Sequence, residues 1–390
     1  MKIIDVNAFY APQGGGVRTY VEQKIAAVAA TGHELIVIAP SDSDRVEIRS
    51  DHARIVHVAS PTMPLDKRYR YFAGAEAVHA ILDRERPDLV EASSPWRTAS
   101  IVADWKGSAR RSLVMHADPL AAYAYRWFGA IADRDTIDRQ FAWFWNHLRR
   151  NARNFDLVVC ANDHLASRLR AGGIANACTN PMGIDPGLFS PDLRNEAMRA
   201  ELLARCGLGP DAALLIGVGR HSPEKRWPMV INAVRRASHR RSIGLVLIGG
   251  GRDSERIRRH IGADPHIQML APITDRPMLA TVMASADALI HGCEAETFGL
   301  VAAEAAASGL PLIVPDEGGA TDLIIPGCGI TYRSANARAA ARAITRLLNR
   351  NPAHLRHAAA AEASRVGTMH DHFTRLFDAY AAPSALHLAA

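Results

Sequence analysis

Short apolar runs alternate along the whole chain with segments in which apolar residues recur at helical spacing. The runs are bounded by polar residues, glycine or proline, which is typical of buried strands. Strands that alternate with amphipathic helices predict parallel sheets covered by helices on both faces. We therefore expect an α/β protein built from two Rossmann-like, doubly wound parallel-sheet domains.

The predicted strands fall into two groups separated by a stretch that is rich in proline and glycine, at residues 180–191. Such a stretch predicts a linker. The first group comprises residues 2–7, 34–39, 54–58, 88–92, 112–116 and 156–161, and the second comprises 213–218, 244–248, 266–270, 288–291, 312–314 and 329–332. We expect an N-terminal domain over residues 1–185 and a C-terminal domain over residues 186–368. A last helix, at about 370–385, is expected to pack back on the first domain.

Composition limits the class of protein. The 390 residues are 48% hydrophobic and 22% charged, which excludes a disordered chain and suits two globular domains. No apolar run is long enough to span a membrane, and the first residues resemble a strand instead of a signal peptide. The five cysteines are scattered without a CxxC pair, which predicts free thiols in a reducing cytoplasm and argues against a zinc site. The net charge of +6 permits anionic partners of several kinds and selects none.

The most informative motif follows the predicted strand 288–291 and contains Glu296 and Glu304, eight positions apart. A helix is predicted to begin near Phe298, and its free amides would form a site for a diphosphate. Gly299 would let the phosphate approach the backbone. Glu304 lies about 7.5 Å farther along the helix, roughly the step from a phosphate to its ribose. A solvated carboxylate is the alternative, but Glu304 stands among alanines.

Two cations follow the predicted strand 213–218: Arg220 at its carboxyl end and Lys225 after a turn. A departing diphosphate needs such cations when no metal neutralises it. Basic residues after a strand are often only solvated, so this pair gains its meaning from the first motif.

Glycine clusters follow two strands, at residues 14–16 and 249–251, and include Gly15, Gly16 and Gly250. Both could let the backbone approach a nucleotide, or could be tight turns between strand and helix. His116 ends the predicted strand 112–116, where it could contact a transferred sugar. A structural histidine is the alternative.

Together these residues resemble the retaining glycosyltransferases of family 4, which have the GT-B fold. The resemblance runs through residues 14–16, His116, Gly183-Ile184-Asp185 with Phe189 and Pro191, Gly219-Arg220 with Glu224-Lys225, Ala286-Asp287, and the pair Glu296 and Glu304. Three departures stand out: Met182 precedes Gly183, His291-Gly292 replaces a Pro-Ser pair, and Asp322 replaces a glutamate.

The resemblance implies a transferase whose two domains face a central cleft, with residues 1–185 as the acceptor-side domain and residues 186–368 as the nucleotide-sugar-binding domain. It assigns the donor diphosphate to Arg220 and Lys225, the ribose to Glu304 and the hydroxyls of the sugar to Glu296. The amides of Phe298, Gly299 and Leu300 would complete the donor site with Gly250, and Gly15 or Gly16 and His116 would contact the donor from the first domain. The substrate would be a nucleotide diphosphate sugar, with a UDP-sugar favoured over a GDP-sugar, and neither a cofactor nor a metal is expected.

Other chemistries have their own signals. Asp42 and Asp44 follow a predicted strand, and such a pair holds the metal in another transferase fold. A sugar-nucleotide epimerase, a phosphorylase or a non-catalytic nucleotide-binding protein could share the fold. Nucleic acid is not expected, because paired carboxylates in the cleft would repel its phosphates.

The acceptor leaves the weakest signal. Aromatic and basic residues mix at 121–128 and 141–150, a composition that suits a membrane interface and a lipid or cell-surface glycan precursor as acceptor. The enzyme would then be cytoplasmic and peripheral on the inner face of the membrane. The alternative, which we favour, is that these aromatics form the core of two helices packed on the first sheet.

Overall fold

The computed structural model describes residues 1–11, 16–64, 67, 69–129 and 131–382. Its contacts divide the chain into two units, Met1–Pro181 with Met369–Ala390, and Met182–Thr368. Each unit is an open, mainly parallel sheet wrapped by helices, so the predicted pair of doubly wound α/β domains is confirmed. The first segment of the first unit ends at Pro181, whereas the predicted first domain ends at residue 185.

The described part of the first unit contains a sheet of eight strands in the order β3-β4-β2-β1-β5-β6-β7-β8. These are β1 (Lys2–Val6), β2 (Glu34–Ser41), β3 (Arg45–Ser50), β4 (Ala53–Ala59), β5 (Leu89–Ala92), β6 (Arg110–Met115), β7 (Leu157–Cys160) and β8 (Ala177–Thr179). Neighbouring strands run parallel except for β3, which pairs antiparallel with β4.

Two of these strands were missing from the sequence prediction, β3 and β8. The apolar residues of β3, Val46 and Ile48, are exposed, so its alternating pattern marks no buried face. The strand β8 has only three residues, too few for a pattern. Both lie at the edges of the sheet, where burial constrains the sequence least.

The helices of the first unit connect these strands and cover the sheet. They are α1 (Gly16–Ala29), α2 (Glu76–Glu85), α3 (Arg97–Asp104), α4 (Tyr125–Phe128), α5 (Arg134–Gln140), α6 (Ala142–Ala152) and α7 (Asp163–Ala171). A π-helical turn, Leu120–Ala124, leads into α4. Side chains of Asp133 and Asn162 cap α5 and α7 by accepting backbone N–H groups.

The sheet of the second unit has six parallel strands in the order β11-β10-β9-β12-β13-β14. They are β9 (Ala213–Val218), β10 (Ile243–Ile248), β11 (Ile267–Leu270), β12 (Ala288–Ile290), β13 (Leu312–Pro315) and β14 (Ile330–Tyr332), and all six were predicted. The helices are α8 (Glu196–Arg205), α9 (Trp227–Ser238), α10 (Ser254–Ile261), α11 (Arg276–Ser285), α12 (Leu300–Ala307), α13 (Ala337–Leu348) and α14 (Pro352–Glu362). Both sheets bury near-continuous apolar strands, as parallel sheets do.

The last helix, α15 (Met369–Ala381), belongs to the first unit although the whole second unit precedes it. Its apolar face packs on α1, where the rings of Tyr20 and Phe373 lie 5.2 Å apart. Arg110 of β6 donates to the carbonyl oxygen of Tyr380 at 2.6 Å and so fixes the end of the helix.

None of the helices among the described residues combines the length and the apolar character that crossing a lipid bilayer requires.

The strand orders identify where each sheet reverses its winding. In the first unit β1 lies between β2 and β5, and in the second unit β9 lies between β10 and β12. Open parallel sheets bind ligands beyond the carboxyl ends of the strands at such switch points. Candidate site residues are therefore expected just after β1 and β5, and just after β9 and β12.

Candidate active site

The loops that follow β9 and β12 bring together the charged residues that the sequence singled out. Lys225 ends a 3₁₀ turn after β9, and its Nζ donates to Oε1 of Glu296, which follows β12. Burial would raise the pKa of Glu296, but Lys225 and the neighbouring His291 outweigh burial and hold that pKa below its usual value. The pair therefore remains ionised.

Arg220 also follows β9, but its side chain is more exposed to solvent than that of Lys225. Its side chain is 75% exposed and forms a 3.5 Å ion pair with Glu224. It is nonetheless close enough to Glu296 to lower the pKa of that carboxyl. Arg220 is thus an exposed cation beside the largely buried Lys225, which suits an anionic ligand that arrives from solvent.

A second ion pair joins the same two loops, between Arg226 and Glu294. The Nε of Arg226 donates to both carboxylate oxygens of Glu294, at 2.9 and 2.7 Å. Arg226 adopts a left-handed backbone conformation with φ of 50°, which is unfavourable for a side chain larger than glycine. The ion pair stabilises that turn and so aligns Lys225. The sequence analysis assigned neither residue, since adjacent charges in a loop carry no pattern.

His291 and Cys293 complete a cluster around Glu296. Potential ligand atoms of the three side chains lie within 4.8 Å of one another. Burial lowers the pKa of His291 to about 4 and raises the pKa of Cys293 to about 12, so the imidazole and the thiol are both neutral. The spacing His-x-Cys-x₂-Glu was not among the sequence predictions, because the five cysteines lack a CxxC pair and were predicted to be free thiols.

The glycines after β9 and β10 are required by packing. A side chain at Gly249 would clash with the carbonyl oxygen of Gly219, and one at Gly251 would lie 2.6 Å from the carbonyl oxygen of His221. Both Gly249 and Gly251 also have positive φ. Between them, Gly250 accepts a hydrogen bond from the His221 amide at 2.8 Å. The turn that includes Gly250 therefore lies directly on the turn that carries Arg220.

The helix after Glu296 begins at a left-handed glycine. Gly299 has φ of 83° and caps α12, whose first residue, Leu300, is partly exposed, while Phe298 is buried. The first turn of α12 therefore begins four residues after Glu296, and the binding of a diphosphate by its amides stays a prediction. The helix starts two positions later than the sequence indicated.

Glu304 lies on the same helix and is buried. Its Oε1 accepts from Nη2 of Arg276 at 2.7 Å, and the guanidinium of Arg276 stacks 5.0 Å from the ring centre of Phe189. Burial raises the pKa of Glu304 even though Arg276 opposes the shift. The carboxylate is thus held by a partly exposed cation, and the position is not that of an ordinary surface glutamate.

In the first unit His116 follows β6 and is partly buried. Its ring packs edge-on against Tyr20 at 4.8 Å, and burial lowers its pKa to about 4. Gly16 begins α1, and none of the described residues lies within 4 Å of the place where its side chain would begin. Gly15 lies outside the described residues.

A buried charge network supports this region of the first unit. Nζ of Lys24 on α1 lies 2.6 Å from Glu91 and 3.4 Å from Asp5, and all three side chains are inaccessible to solvent. Tyr380 of α15 donates to the same oxygen of Glu91 at 2.6 Å. Burial raises the pKa of Asp5 to about 6, whereas Lys24 holds the pKa of Glu91 below its usual value against the effect of burial. The sequence offered no sign of this network, because its members are far apart in the chain.

The Asp-x-Asp alternative has no support in the local geometry. Asp42 contacts Ser41, Ser43 and Arg45, while Asp44 accepts from the backbone amide of Ala59 at 2.7 Å. Neither joins a third possible metal ligand among the residues that the structure describes.

The aromatic segments are only partly core. Phe144 and Trp145 are buried, but Trp127 and Trp143 are each 59% exposed. The exposed rings border an apolar cavity of about 300 Å³. Its lining, which we call the aromatic surface, consists of Trp96, Pro119, Leu120, Tyr123, Ala124, Trp127, Phe141, Trp143 and Phe144. An uninterrupted apolar lining open to solvent is characteristic of a surface that meets an apolar partner.

Known proteins resemble the whole chain. Residues 14–188 match the model of Glycosyltransferase Family 4, and residues 199–365 match that of Glycosyl transferases group 1. A GDP-mannose-dependent alpha-(1-6)-phosphatidylinositol dimannoside mannosyltransferase of Mycobacterium tuberculosis is 29% identical, over 92% of this chain and 91% of its own. A GDP-mannose-dependent alpha-mannosyltransferase of the same species is 29% identical, over 84% and 82%.

Among solved structures, sucrose-phosphate synthase from Thermosynechococcus elongatus superposes with a TM-score of 0.74 at 20% identity, covering 98% of each chain. This likeness concerns the fold, which is GT-B. The relatives do not favour the epimerase or the non-catalytic alternative. Because the two adjoining family models together cover nearly the whole chain, the protein belongs to family 4 of the glycosyltransferases.

Proposed function

We propose that this glycosyltransferase moves mannose from GDP-mannose to a lipid acceptor at the membrane surface, without a metal and with retention at the anomeric carbon. The observation that carries the proposal is the pair of cations, Lys225 and Arg220, at the switch point after β9, beside Glu296. Two cations at such a place suit a diphosphate leaving group.

In this proposal each residue of the second unit has one task. Arg220 and Lys225 bind the diphosphate, and the amides near Phe298, Gly299 and Leu300 bind its oxygens. Glu296 accepts from the sugar hydroxyls. Glu304, held by Arg276, accepts from the ribose, while Gly250 keeps the adjoining turn close. That His116 contacts the sugar, and Gly15 or Gly16 the phosphates, stays a prediction of the family resemblance.

The reaction exchanges one bond for another. The bond from the anomeric carbon to the diphosphate breaks through an oxocarbenium-like state, and a bond to the acceptor oxygen forms on the same face. The acceptor's hydroxyl proton passes to the departing diphosphate. Lys225 and Arg220 lower the barrier because negative charge grows on the diphosphate as it leaves.

The identity of the donor rests on the relatives. The sequence analysis favoured a UDP-sugar over a GDP-sugar, but the relatives that match most of the chain are named as GDP-mannose-dependent. Their names lean against uracil, and we therefore propose guanine as the base and mannose as the sugar.

A lipid acceptor is supported by two observations. One relative is named for a phosphatidylinositol mannoside acceptor. The aromatic surface has exposed tryptophans, Trp127 and Trp143, of the kind enriched where proteins meet the headgroup region of a bilayer. We propose peripheral binding to the inner face of the membrane through this surface.

The test is mass spectrometry of products after incubation with GDP-mannose, GDP-glucose, UDP-glucose or UDP-galactose and a bacterial lipid extract. We expect a lipid heavier by one hexose with GDP-mannose only, and the same yield in EDTA. Transfer only from a UDP-sugar would overturn the proposed donor. Loss of transfer in EDTA, restored by Mg²⁺, would overturn the metal-independent mechanism. Transfer only to soluble acceptors would overturn the proposal of a lipid acceptor.

A further inference from the structure

We propose that His291, Cys293 and Glu296 form a three-ligand site for a thiophilic divalent cation, Zn²⁺, and that the ion competes with Lys225 for Glu296. Zinc is bound in proteins by the three atom types present here, a thiolate sulfur, an imidazole nitrogen and a carboxylate oxygen. The competition rests on the proposed function, since it concerns the site assigned to the donor. The metal site itself does not.

The spacing of the ligand atoms fits one ion with small adjustments. Possible ligand atoms of the three side chains lie within 4.8 Å of one another, and Nε2 of His291 is 3.7 Å from Oε1 of Glu296. Ligand atoms around a tetrahedral zinc ion with bonds of about 2.0–2.3 Å are roughly 3.3–3.8 Å apart. Side-chain movements of about 1 Å would therefore bring all three into coordination.

An independent observation concerns His291. Its Nε2 atom is buried and has no hydrogen-bond partner within the described part of the chain. A buried polar atom without a partner is destabilising and is rare enough to need a reason. Nε2 of His291 is excluded from water and lies near the Glu296 carboxylate and the Cys293 thiol. Donation of its lone pair to a cation would explain this arrangement.

The backbone of the loop is held in place before any ion binds. The amide of His291 donates to Ile313 of β13 at 2.9 Å, and its carbonyl oxygen accepts from the hydroxyl of Tyr332 at 2.6 Å. A side chain at Gly292 would lie 2.5 Å from the carbonyl oxygen of Lys225, so only glycine allows this close approach. The loop thus presents His291 and Cys293 at a fixed distance from the turn that carries Lys225.

The contact between Lys225 and Glu296 is the reason why the ion and the donor would compete. Its ammonium group contacts Glu296 in the structure, and a divalent cation at the same carboxylate would repel it. When the ion binds, the Cys293 thiol gives its proton to solvent and Glu296 exchanges Lys225 for the metal. Lys225 is then displaced from the position that the donor diphosphate requires, so the ion and the sugar nucleotide exclude each other.

The metal site is tested directly on the metal-free protein with Co²⁺, which adopts zinc-like coordination and reports a thiolate bond by charge-transfer absorption. We expect one equivalent to give this band. Cys293→Ser should abolish it, and Cys328→Ser, a buried cysteine of the same unit, should leave it unchanged. No band in the wild type, or a band that survives Cys293→Ser, would overturn the site.

A second variant protects this test against misfolding of Cys293→Ser. Glu296→Gln retains the thiol and the imidazole, and should weaken Co²⁺ binding at least tenfold. Unchanged affinity would remove Glu296 from the site and overturn the proposed ligand set. Thermal unfolding of both variants, compared with the wild type, identifies any general loss of structure.

Competition is measured separately, as the affinity for GDP-mannose with and without one equivalent of Zn²⁺. We expect at least a tenfold loss in the wild type and none in Cys293→Ser, which also controls for zinc that binds the free nucleotide. Equal losses in both proteins would overturn the competition. Absence of GDP-mannose binding in metal-free buffer would instead overturn the proposed function, and the Co²⁺ result would be unaffected.

Discussion

The side chains of Lys24 and Glu91 form a 2.6 Å ion pair inside the first unit, and neither is accessible to solvent. Removing one partner of a buried pair leaves a charge that nothing neutralises, which is far costlier than losing a surface pair. Asp5 lies beside the same ammonium group, so the lysine holds two carboxyl groups together.

Lys24→Met should therefore destabilise the protein by about 3–5 kcal/mol, measured as the free energy of unfolding in urea. Lys106→Met, at an exposed position, is the matched control and should change stability by less than about 0.5 kcal/mol. If both variants unfold at the same denaturant concentration, the network contributes nothing. The double variant Lys24→Met/Glu91→Leu should recover part of the loss, since it leaves no unpaired Glu91 carboxylate.

Acid should destabilise the first unit through His372. Its Nδ1 lies 2.9 Å from the carbonyl oxygen of Pro181 and its Nε2 lies 3.0 Å from the Tyr20 hydroxyl, two partners that the neutral ring satisfies by donating through Nδ1 and accepting at Nε2. Burial lowers the pKa of His372 to about 4. The unfolded ring binds its proton near pH 6.5, so its contribution is complete above that pH and is lost as pH falls towards 4, by up to roughly 3 kcal/mol.

The measurement is the free energy of unfolding between pH 7 and 4. His372→Gln should be less stable than the wild type at pH 7 and should lose less stability on acidification. His354→Gln, at an exposed position, should follow the wild type. Asp5 opposes the trend, because its raised pKa favours folding at low pH. Parallel curves for wild type and His372→Gln would contradict the prediction.

Lys225→Ala and Arg220→Ala should each lower kcat about 10²–10³-fold, since each removes a charge that stabilises the departing diphosphate. Arg252→Ala is the control, because that arginine is 76% exposed and makes only a 4.0 Å pair with Asp253. Turnover at the wild-type rate in either test variant, with the fold intact, would refute the assignment.

Glu304→Gln should act on binding more than on chemistry. A carboxylate that accepts from ribose hydroxyls contributes equally before and in the transition state, so its loss raises KM and leaves kcat nearly unchanged. We expect KM for the donor to rise about tenfold, a change of about 1.4 kcal/mol. A fall in kcat of similar size with constant KM would place Glu304 near the reacting bond instead.

The aromatic surface predicts a membrane phenotype. The double variant Trp127→Ala/Trp143→Ala should lose at least tenfold in affinity for vesicles of phosphatidylglycerol and phosphatidylcholine, measured by co-sedimentation. Ile48→Ala removes another exposed apolar side chain of the same unit, 70% exposed on β3, and should bind as the wild type does. Equal binding by the wild type and both variants would show that this surface does not contribute to membrane binding.

The sequence pattern predicted the strands whose apolar residues are buried and missed strands without a buried apolar pattern. All six strands of the second sheet were found, because burial on both faces keeps their residues apolar. The exposed strand β3 left no such trace. Likewise Glu296 and Glu304 were recognisable because they lie in one segment, and Lys225 was recognisable by its place after the predicted strand 213–218.

Contacts across long stretches of chain could not be predicted in the same way. Lys24 is one polar residue in an amphipathic helix, and nothing in its segment indicates that Glu91 and Tyr380 surround it. The ion pair of Arg226 and Glu294 joins two loops whose positions follow from the strand order, which one sequence does not specify. His291 and Cys293 became meaningful only once the loop after β12 was folded.

The position of α15 has a consequence for biosynthesis. The first unit needs Tyr380 to complete its buried network and Phe373 to cover α1, yet these residues leave the ribosome only after the entire second unit. The nascent first sheet must therefore wait with an uncovered apolar flank while more than 180 further residues, Met182–Thr368, are translated. During that interval we expect the exposed apolar surface of the first sheet to bind a chaperone. Early termination of translation would leave the first unit without α15 and prone to aggregate.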